Sequence, residues 1–308
     1  MLAFMFPGQG SQRPGMGRPW VDNASWSVVD EASEILGRDL PALLLDAEAG
    51  ELVHTGNAQI ATYVTSLVVL DALRRHGVAP ASCAGHSLGE YSALTAAGAL
   101  SLTDGLRLVQ ARGEAMADAA RARPGTMAAV IGLDDDAVTE ACRQAGGDVW
   151  VANLNAPGQV VVSGAEEAVA ALRKTARAMG ARRILDLPVG GAFHTSYMAP
   201  ARATLAAALD RATLRAPRVP VVANVDAGVH RHGAAWASVL VEQLTRPVRW
   251  RQSVARLIAG GATTLVEVGA GSVLAGLARR IDPDVGTVSV ATPEDVEQLA
   301  RVAAATSP

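Results

Sequence analysis

The sequence is poor in cysteine, in aromatic residues and in excess charge. Of its 308 residues only two are cysteines, and Phe, Trp and Tyr together make up 4%. Cys83 and Cys142 cannot build a disulfide framework, so we predict a protein of a reducing compartment, the cytoplasm. The formal net charge of −3 provides no basic field for nucleic acid or for an anionic membrane surface, and we expect neither as a partner.

Long apolar runs and metal-ligand spacings are also absent. No stretch approaches the roughly 20 consecutive apolar residues of a membrane span. The opening MLAFMFPGQG lacks the basic start of a signal peptide and fits a buried first strand better. The cysteines and histidines show no zinc-binding spacing, so we expect no metal. Half of the chain is hydrophobic and 19% is charged, which is typical of a globular protein.

Strand-like and helix-like hydrophobic patterns alternate along most of the chain. Residues 2–6 (LAFMF) and 81–87 (ASCAGHS) have the character of strands, and helical patterns follow each of them. Such alternation predicts parallel strands joined by crossover helices. Over residues 125–189 the order becomes β-α-β-β-α-β, which is that of a ferredoxin-like fold. We therefore predict a large α/β domain (1–124 and 190–308) interrupted by a small α+β subdomain, with a site in the cleft between them.

The segment GHSLGE places Ser87 in a Gly-x-Ser-x-Gly pattern between a predicted strand and a predicted helix. Small neighbours allow a sharp turn, and the start of a helix stabilises developing negative charge. Ser87 is therefore a candidate nucleophile, and the N–H of Leu88 is a candidate oxyanion donor. The alternative is a chance pattern in a chain rich in glycine and alanine. His86 points away from its neighbour at such a turn, so it does not fit the role of base.

Three other segments carry candidate polar groups. His194 lies in VGGAFHTSYMAP, where the chain returns from the small subdomain, and is either a general base or a structural histidine. The loop FPGQGSQ exposes the backbone around Gln9, a candidate oxyanion donor, and lacks the Gly-Lys-Ser/Thr of a phosphate loop. Arg112 lies on a helix with an apolar face, where it either forms a structural pair or binds a carboxylate. The other histidines lie in polar connections or at a helix end: His54, His76, His230 and His232.

Together these segments resemble those of the discrete malonyl-CoA:acyl carrier protein transacylases of fatty-acid and polyketide synthesis. The resemblance runs nearly end to end, through FPGQGSQ, GHSLGEYSAL, RGEAM, NLNAPGQVVVSG, GAFHTSYM, RPVRW and EVGAGSVLAGL in the family's order. It implies an α/β-hydrolase-like core with a ferredoxin-like insert. It also implies transfer of a malonyl group from malonyl-CoA, through an acyl-serine, to the phosphopantetheine thiol of an acyl carrier protein, without a metal or redox cofactor.

The resemblance assigns roles to individual residues. It implies that Ser87 is the acylated nucleophile and that His194 is the general base and then the general acid. The N–H groups of Gln9 and Leu88 form the implied oxyanion hole. Arg112 is the implied partner of the free malonyl carboxylate.

Two further roles also follow from the resemblance. The backbone carbonyl of Gln243 orients the histidine in place of an aspartate, and the bulk of Phe193 disfavours acyl groups with a 2-methyl branch. The chain departs from the usual family residues at Ile60, Ala156, Ala270 and Ser272, which bears on substrate and carrier choice. Candidate carrier-docking residues form a basic patch of Arg182, Arg183, Arg279 and Arg280.

Several alternatives remain open at this point. A Ser-His pair also serves an acyl hydrolase that clears stalled carriers, or a transferase for a larger or neutral acyl group. A non-catalytic carrier-docking protein is the alternative from another class. Carriers of fatty-acid synthesis, polyketide synthesis and malonate degradation all fit the sequence. A monomer is the default expectation.

Overall fold

The structure is a computed structural model that describes residues 1–306 and contains two β-sheets. The strands are β1 (Leu2–Phe6), β2 (Ser82–Gly85), β3 (Thr126–Ile131), β4 (Val149–Ala156), β5 (Gln159–Gly164), β6 (Arg183–Asp186), β7 (Val221–Val222), β8 (Thr264–Val268) and β9 (Gly286–Val290). One sheet has the order β7-β2-β1-β8-β9 and is parallel. The other has the order β4-β5-β3-β6 and is antiparallel. The predicted mixed α/β class with a parallel sheet is confirmed.

Helices connect and flank the strands. They are α1 (Ser27–Leu36), α2 (Leu40–Leu45), α3 (Ala49–Leu52), α4 (Thr55–Arg75), α5 (Gly89–Ala96), α6 (Leu102–Ala122), α7 (Asp135–Ala145), α8 (Glu166–Ala178), α9 (Ala201–Leu209), α10 (Gly233–Gln243), α11 (Trp250–Ala259), α12 (Val273–Ile281) and α13 (Pro293–Thr306). The two longest, α4 and α6, pack against each other. Across residues 1–306 no helix combines the length and the apolar character needed to cross a membrane.

The parallel sheet is buried on both faces. In β1, Phe4 and Phe6 belong to the main hydrophobic core, while Ala3 and Met5 belong to a second core on the opposite face. Side chains alternate between the faces of a strand, so a strand covered on both sides is hydrophobic throughout. This explains why LAFMF is a continuous apolar run.

The antiparallel sheet packs α7 and α8 against one face. Alternate residues of its strands, such as Val130 and Val160, meet these helices in a separate core. The opposite face joins the main core, for example through Ala129 and Val161. Edge strand β4 is tied to the rest of the molecule, because the N–H of Val248 donates to Ala152 and its carbonyl accepts from Leu154. The main core and this backbone link therefore hold the two sheets together.

The carboxyl ends of β1 and β2 bring two important loops to one edge of the parallel sheet. The two strands are neighbours, and Phe6 is paired with Gly85. The loop that contains Gln9 follows the first strand, and the turn that contains Ser87 follows the second. In open parallel sheets this edge is where ligands usually bind.

Candidate active site

The turn that contains Ser87 requires glycine on both sides. A Cβ at Gly85 would lie 1.9 Å from the carbonyl carbon of Gly89, and a Cβ at Gly89 would lie 2.1 Å from the carbonyl oxygen of Phe6. Ser87 itself has a φ of +52°, in the left-handed region that residues with a side chain rarely adopt. Such a position costs on the order of 1–3 kcal/mol and persists only where neighbouring groups hold it.

His194 lies beside the serine hydroxyl. Its Nε2 is 2.8 Å from Ser87 Oγ, and its Nδ1 is 2.9 Å from the backbone oxygen of Gln243. Because a carbonyl oxygen can only accept, Nδ1 carries the proton in the neutral ring and Nε2 accepts from the hydroxyl. Burial, reinforced by the charge of Arg112, lowers the pKa of His194 to about 3. The imidazole is therefore neutral at physiological pH, and its Nε2 lone pair faces the serine hydroxyl.

Arg112 lies on the other side of the same hydroxyl. Its side chain is 1% exposed, and its Nη2 donates to Ser87 Oγ over 3.0 Å. The other acceptors are the side-chain oxygens of Gln59 and Gln243, each at 2.8 Å. Within residues 1–306 no carboxylate forms an ion pair with this guanidinium, and its Nε has no hydrogen-bond partner. The result is a buried positive charge whose direct acceptors are all neutral, which is a costly arrangement that a contacting anion would relieve.

The side chains of Gln59, Asn224 and Gln243 belong to the site but were not predicted from the sequence. Asn224 Oδ1 accepts from the N–H of Ser87 at 2.7 Å, and its amide nitrogen donates to the carbonyl of Gly85 at 2.7 Å. Gln243 Nε2 donates to the carbonyl of Ser87 at 2.9 Å. Their only sequence signal is an uncharged amide within an apolar stretch, which is weak. The predicted contact of the Gln243 backbone with His194 is present.

The loop of Gln9 packs directly on the serine turn. A Cβ at Gly8 would lie 2.4 Å from the carbonyl oxygen of His86, so only glycine fits there. Leu88 is the residue that precedes α5. Within residues 1–306 neither the N–H of Gln9 nor that of Leu88 has a protein acceptor. Both groups are therefore free to donate to a ligand oxygen.

Within residues 1–306, none of the other histidine side chains forms a hydrogen bond with Ser87. His86 Nε2 is 2.9 Å from Asn155 Oδ1, and its ring contacts Trp250, which agrees with its predicted exclusion as base. His230 lies 3.1 Å from Asp226. No group of three or more potential metal ligands occurs in the described part of the chain. The remaining histidines flank helices: His54 and His76 adjoin α4, and His232 precedes α10.

A cavity of about 900 Å³ is lined by His194 together with residues of α7 and β4. Trp150 of β4 and Gln252 of α11 also line it. Phe193 is almost fully buried, and a Cβ at Gly191 would lie 3.0 Å from its ring. The ring is thus held tightly in the main hydrophobic core. The four departures from the usual family residues form no hydrogen bond with Ser87 or His194: Ile60, Ala156, Ala270 and Ser272.

Comparison with known proteins gives one consistent result. Residues 3–292 match the family model described as acyl transferase domain. The chain is 43% identical over 301 residues to the malonyl CoA-acyl carrier protein transacylase of Bacillus subtilis, covering 96% of this chain and 95% of that protein.

Solved structures of similar proteins point to the same family. The acyl-carrier-protein S-malonyltransferase of Burkholderia pseudomallei 1710b superposes with a TM-score of 0.93 at 40% identity, covering 97% of this chain and 99% of that one. A malonyl-transacylase in complex with its type II PKS acyl-carrier protein (PlMCAT:AntF) has a TM-score of 0.94 at 37% identity, with 98% and 99% covered. The resemblance that the sequence motifs indicated is confirmed.

Proposed function

The chain belongs to the acyl transferase domain family, and from this premise we propose that it transfers a malonyl group from malonyl-CoA to the phosphopantetheine thiol of an acyl carrier protein. The names of its relatives support this substrate and acceptor. The observation that carries the proposal is the environment of Ser87 Oγ, which lies between the neutral His194 imidazole and the unpaired Arg112 guanidinium. The first group activates the hydroxyl, and the second attracts a carboxylate.

The first half-reaction forms the acyl-enzyme. His194 Nε2 takes the hydroxyl proton as Ser87 Oγ attacks the thioester carbonyl of malonyl-CoA. The oxyanion accepts hydrogen bonds from the N–H groups of Gln9 and Leu88, each worth about 3 kcal/mol in related acyl-transfer sites. The carbon–sulfur bond breaks, and His194 returns the proton to the departing thiolate of coenzyme A.

The second half-reaction reverses these roles for a new thiol. His194 removes the proton from the phosphopantetheine thiol, and the sulfur attacks the malonyl-serine ester. The bond to Ser87 Oγ breaks, and the serine regains its proton from the imidazolium. The steps balance without a metal or a redox cofactor. The Gln243 carbonyl keeps the ring in the tautomer that both steps use.

Arg112 selects the acyl group. A malonyl carboxylate can replace neutral oxygens that now accept from the two terminal nitrogens, and the planar fork suits a bidentate contact. Phe193 restricts branching at the acyl carbon, with a discrimination of about 1–3 kcal/mol per methyl group. A hydrolase of neutral acyl groups has no need of such a buried cation. We therefore favour malonyl transfer over that alternative.

We also propose the finer architecture that the sequence predicted. Residues 1–124 and 190–306 form an α/β-hydrolase-like catalytic domain, and residues 125–189 form a ferredoxin-like subdomain; the last two positions of the predicted range 190–308 lie outside the described residues. The strand order β4-β5-β3-β6 with α7 and α8 on one face supports the second assignment. The monomeric state and the cytoplasmic location stay predictions, and the carrier is one of fatty-acid synthesis, polyketide synthesis or malonate degradation.

The basic patch proposed for carrier docking has two kinds of members. Arg279 donates to Thr287 over 3.0 Å, and Arg280 donates to the carbonyl of Pro157 over 3.0 Å. All four arginines are exposed, but within residues 1–306 the side chains of Arg182 and Arg183 form no hydrogen bond. We therefore expect Arg182 and Arg183 to contribute more to binding of an acidic carrier.

Intact-protein mass spectrometry tests the proposed function. Incubation with malonyl-CoA should give one malonyl adduct on the wild type and on Ser238→Ala, an exposed control, and none on Ser87→Ala. Addition of the phosphopantetheinylated carrier should then move the malonyl group to the carrier. Release of malonate into water at the same rate with and without carrier would favour the hydrolase instead. No adduct on the wild type would revive the non-catalytic alternative.

A further inference from the structure

The first turn of α5 buries a carboxylate that the proposed mechanism does not use. Glu90 is 0% exposed. Its Oε1 accepts from the backbone N–H of Asn224 at 2.7 Å, and its Oε2 accepts from Gln243 Nε2 at 2.5 Å. Burial raises the pKa of the Glu90 carboxyl to about 8, and these two hydrogen bonds, followed by the charge of Arg112, oppose that rise. Both oxygens accept from donors, and a protonated carboxyl would lose one of these bonds, so this geometry is that of the ionised form, which is most populated above pH 8.

The two partners of Glu90 also hold the backbone of Ser87. Asn224 accepts from the serine N–H, and Gln243 donates to the serine carbonyl. Ser87 has a positive φ, so its conformation depends on contacts of this kind. Glu90 therefore supports the strained turn indirectly, through its hydrogen bonds to Asn224 and Gln243.

Gln243 links Glu90 to the arginine. Its Nε2 donates to two acceptors, the Glu90 carboxylate and the Ser87 carbonyl. This fixes the direction of the amide, so that Oε1 faces Arg112 Nη2 at 2.8 Å. If the amide turned over, its NH₂ group would face the guanidinium and lose that bond. The Glu90 carboxylate thus ensures that Arg112 contacts the side-chain oxygen of Gln243 and not its side-chain nitrogen.

We propose that Glu90 is a positioning residue for acyl transfer, which acts through Gln243 and Asn224 to fix the serine turn and the direction of the Arg112 guanidinium. The effect on the serine turn concerns every acyl group. The effect on the Arg112 guanidinium concerns only acyl groups that carry a carboxylate. The inference rests on the proposed malonyl transfer, but its effect on the serine turn is measurable without malonyl-CoA.

Glu90→Gln is the informative substitution because it keeps the shape and replaces one acceptor oxygen by a donor NH₂. That NH₂ then faces either the Asn224 N–H or Gln243 Nε2, and one hydrogen bond to a charged acceptor is lost in either case. Loss of such a bond typically changes a rate or equilibrium by about 10- to 100-fold. Glu242→Gln, the same change at the exposed neighbour of Gln243, is the matched control.

Two rates test the proposal: malonyl loading from malonyl-CoA in a rapid-quench experiment, and labelling of Ser87 by a neutral fluorophosphonate. Glu90→Gln should slow malonyl loading about 10- to 100-fold and fluorophosphonate labelling by a smaller factor. Glu242→Gln should leave both within about twofold, as expected of surface changes. Equal slowing of both rates, or malonyl loading within about threefold of wild type, would overturn the proposal. Absence of malonyl loading in the wild type, with normal fluorophosphonate labelling, would instead count against the proposed function.

Gln243→Met provides a second, independent variant. It keeps the backbone carbonyl on His194 and removes the amide that joins Glu90 to Arg112. We expect malonyl loading again to be slowed more than fluorophosphonate labelling. In the Gln243→Met background, Glu90→Gln should slow malonyl loading by less than a further factor of about three, because the effects of coupled residues are not additive. Full multiplication of the two effects would contradict the proposed route through Gln243. Wild-type malonyl loading in Gln243→Met would do so even if Glu90→Gln does not fold.

Discussion

Two arginines on the same stretch of chain have opposite environments. Arg123, next to the end of α6, lies at the surface, where it donates to Asp148 at 2.6 Å and stacks over the ring of Tyr197 at 3.7 Å. Arg112, within the helix, is buried and donates only to neutral oxygens. The exposed arginine contacts a carboxylate directly, while the buried one contacts none and is separated from the Glu90 carboxyl by the Gln243 amide. The missing partner points to an anion that comes with the substrate.

The difference is also energetic. An exposed ion pair contributes about 0–1 kcal/mol, since water already solvates both charges. A buried, unpaired guanidinium is destabilising, and the ring of Tyr91 at 5.6 Å compensates it only in part. The Arg123–Asp148 pair therefore stabilises the fold only weakly. The Arg112 charge is stabilised most when an anionic group binds in the site.

The largest expected effect is at the base beside the buried arginine. His194→Ala should slow malonyl loading by about 10²- to 10⁴-fold, the usual contribution of a general base. Rapid-quench measurement of the acyl-enzyme provides the rate, and His232→Ala, an exposed position, is the control. A loss of less than tenfold would mean that another group accepts the serine proton.

The next effect distinguishes the two arginines directly. Arg112→Ala should lower kcat/KM for malonyl loading by about 30-fold or more, because truncation of a buried charged partner costs 2–5 kcal/mol. Arg123→Ala should change it by less than about twofold. Steady-state transfer to the carrier protein measures both. Similar losses in the two variants would remove the contrast on which the carboxylate clamp is based.

The pKa of His194 provides a finer test. Burial and the Arg112 charge lower this pKa from 6.5 to about 3, so Arg112→Ala should raise it and Arg123→Ala should not. Nitrogen-15 NMR of histidine-labelled protein follows the ring as the pH falls. Because the folded pKa is the lower one, the contribution of His194 to stability is present above pH 6.5 and is lost as the pH falls towards 3. A wild-type midpoint between pH 6 and 7 would contradict the buried, neutral ring.

The smallest expected effect concerns the exposed pair. Arg123→Ala should lower the free energy of unfolding by less than about 1 kcal/mol, since both partners are about half exposed. Urea denaturation measures this change. A loss above 2 kcal/mol would show that the Arg123–Asp148 contact is a structural link and not a weak surface pair.

The sequence predicted those parts of the molecule that depend on local patterns. Alternating hydrophobicity predicted the parallel strands, and glycine spacing predicted the sharp turn at Ser87. The groups that surround this turn were less predictable. Asn224 and Gln243 reach Ser87 from segments 137 and 156 residues away, and no periodicity relates positions at such separations. Buried polar side chains such as Gln59 resemble ordinary helix residues until their partners are known.

The central claim is that the buried guanidinium receives the carboxylate of the acyl group on the adjacent serine. A crystal structure of the malonyl-Ser87 enzyme, trapped in a His194→Ala variant loaded at long incubation, tests this most directly. We expect the malonyl carboxylate within about 3 Å of both terminal nitrogens of Arg112, as in other bidentate pairs. If Arg112 kept its bonds to Gln59 and Gln243 while the carboxylate pointed into the cavity of about 900 Å³, the claim would be wrong.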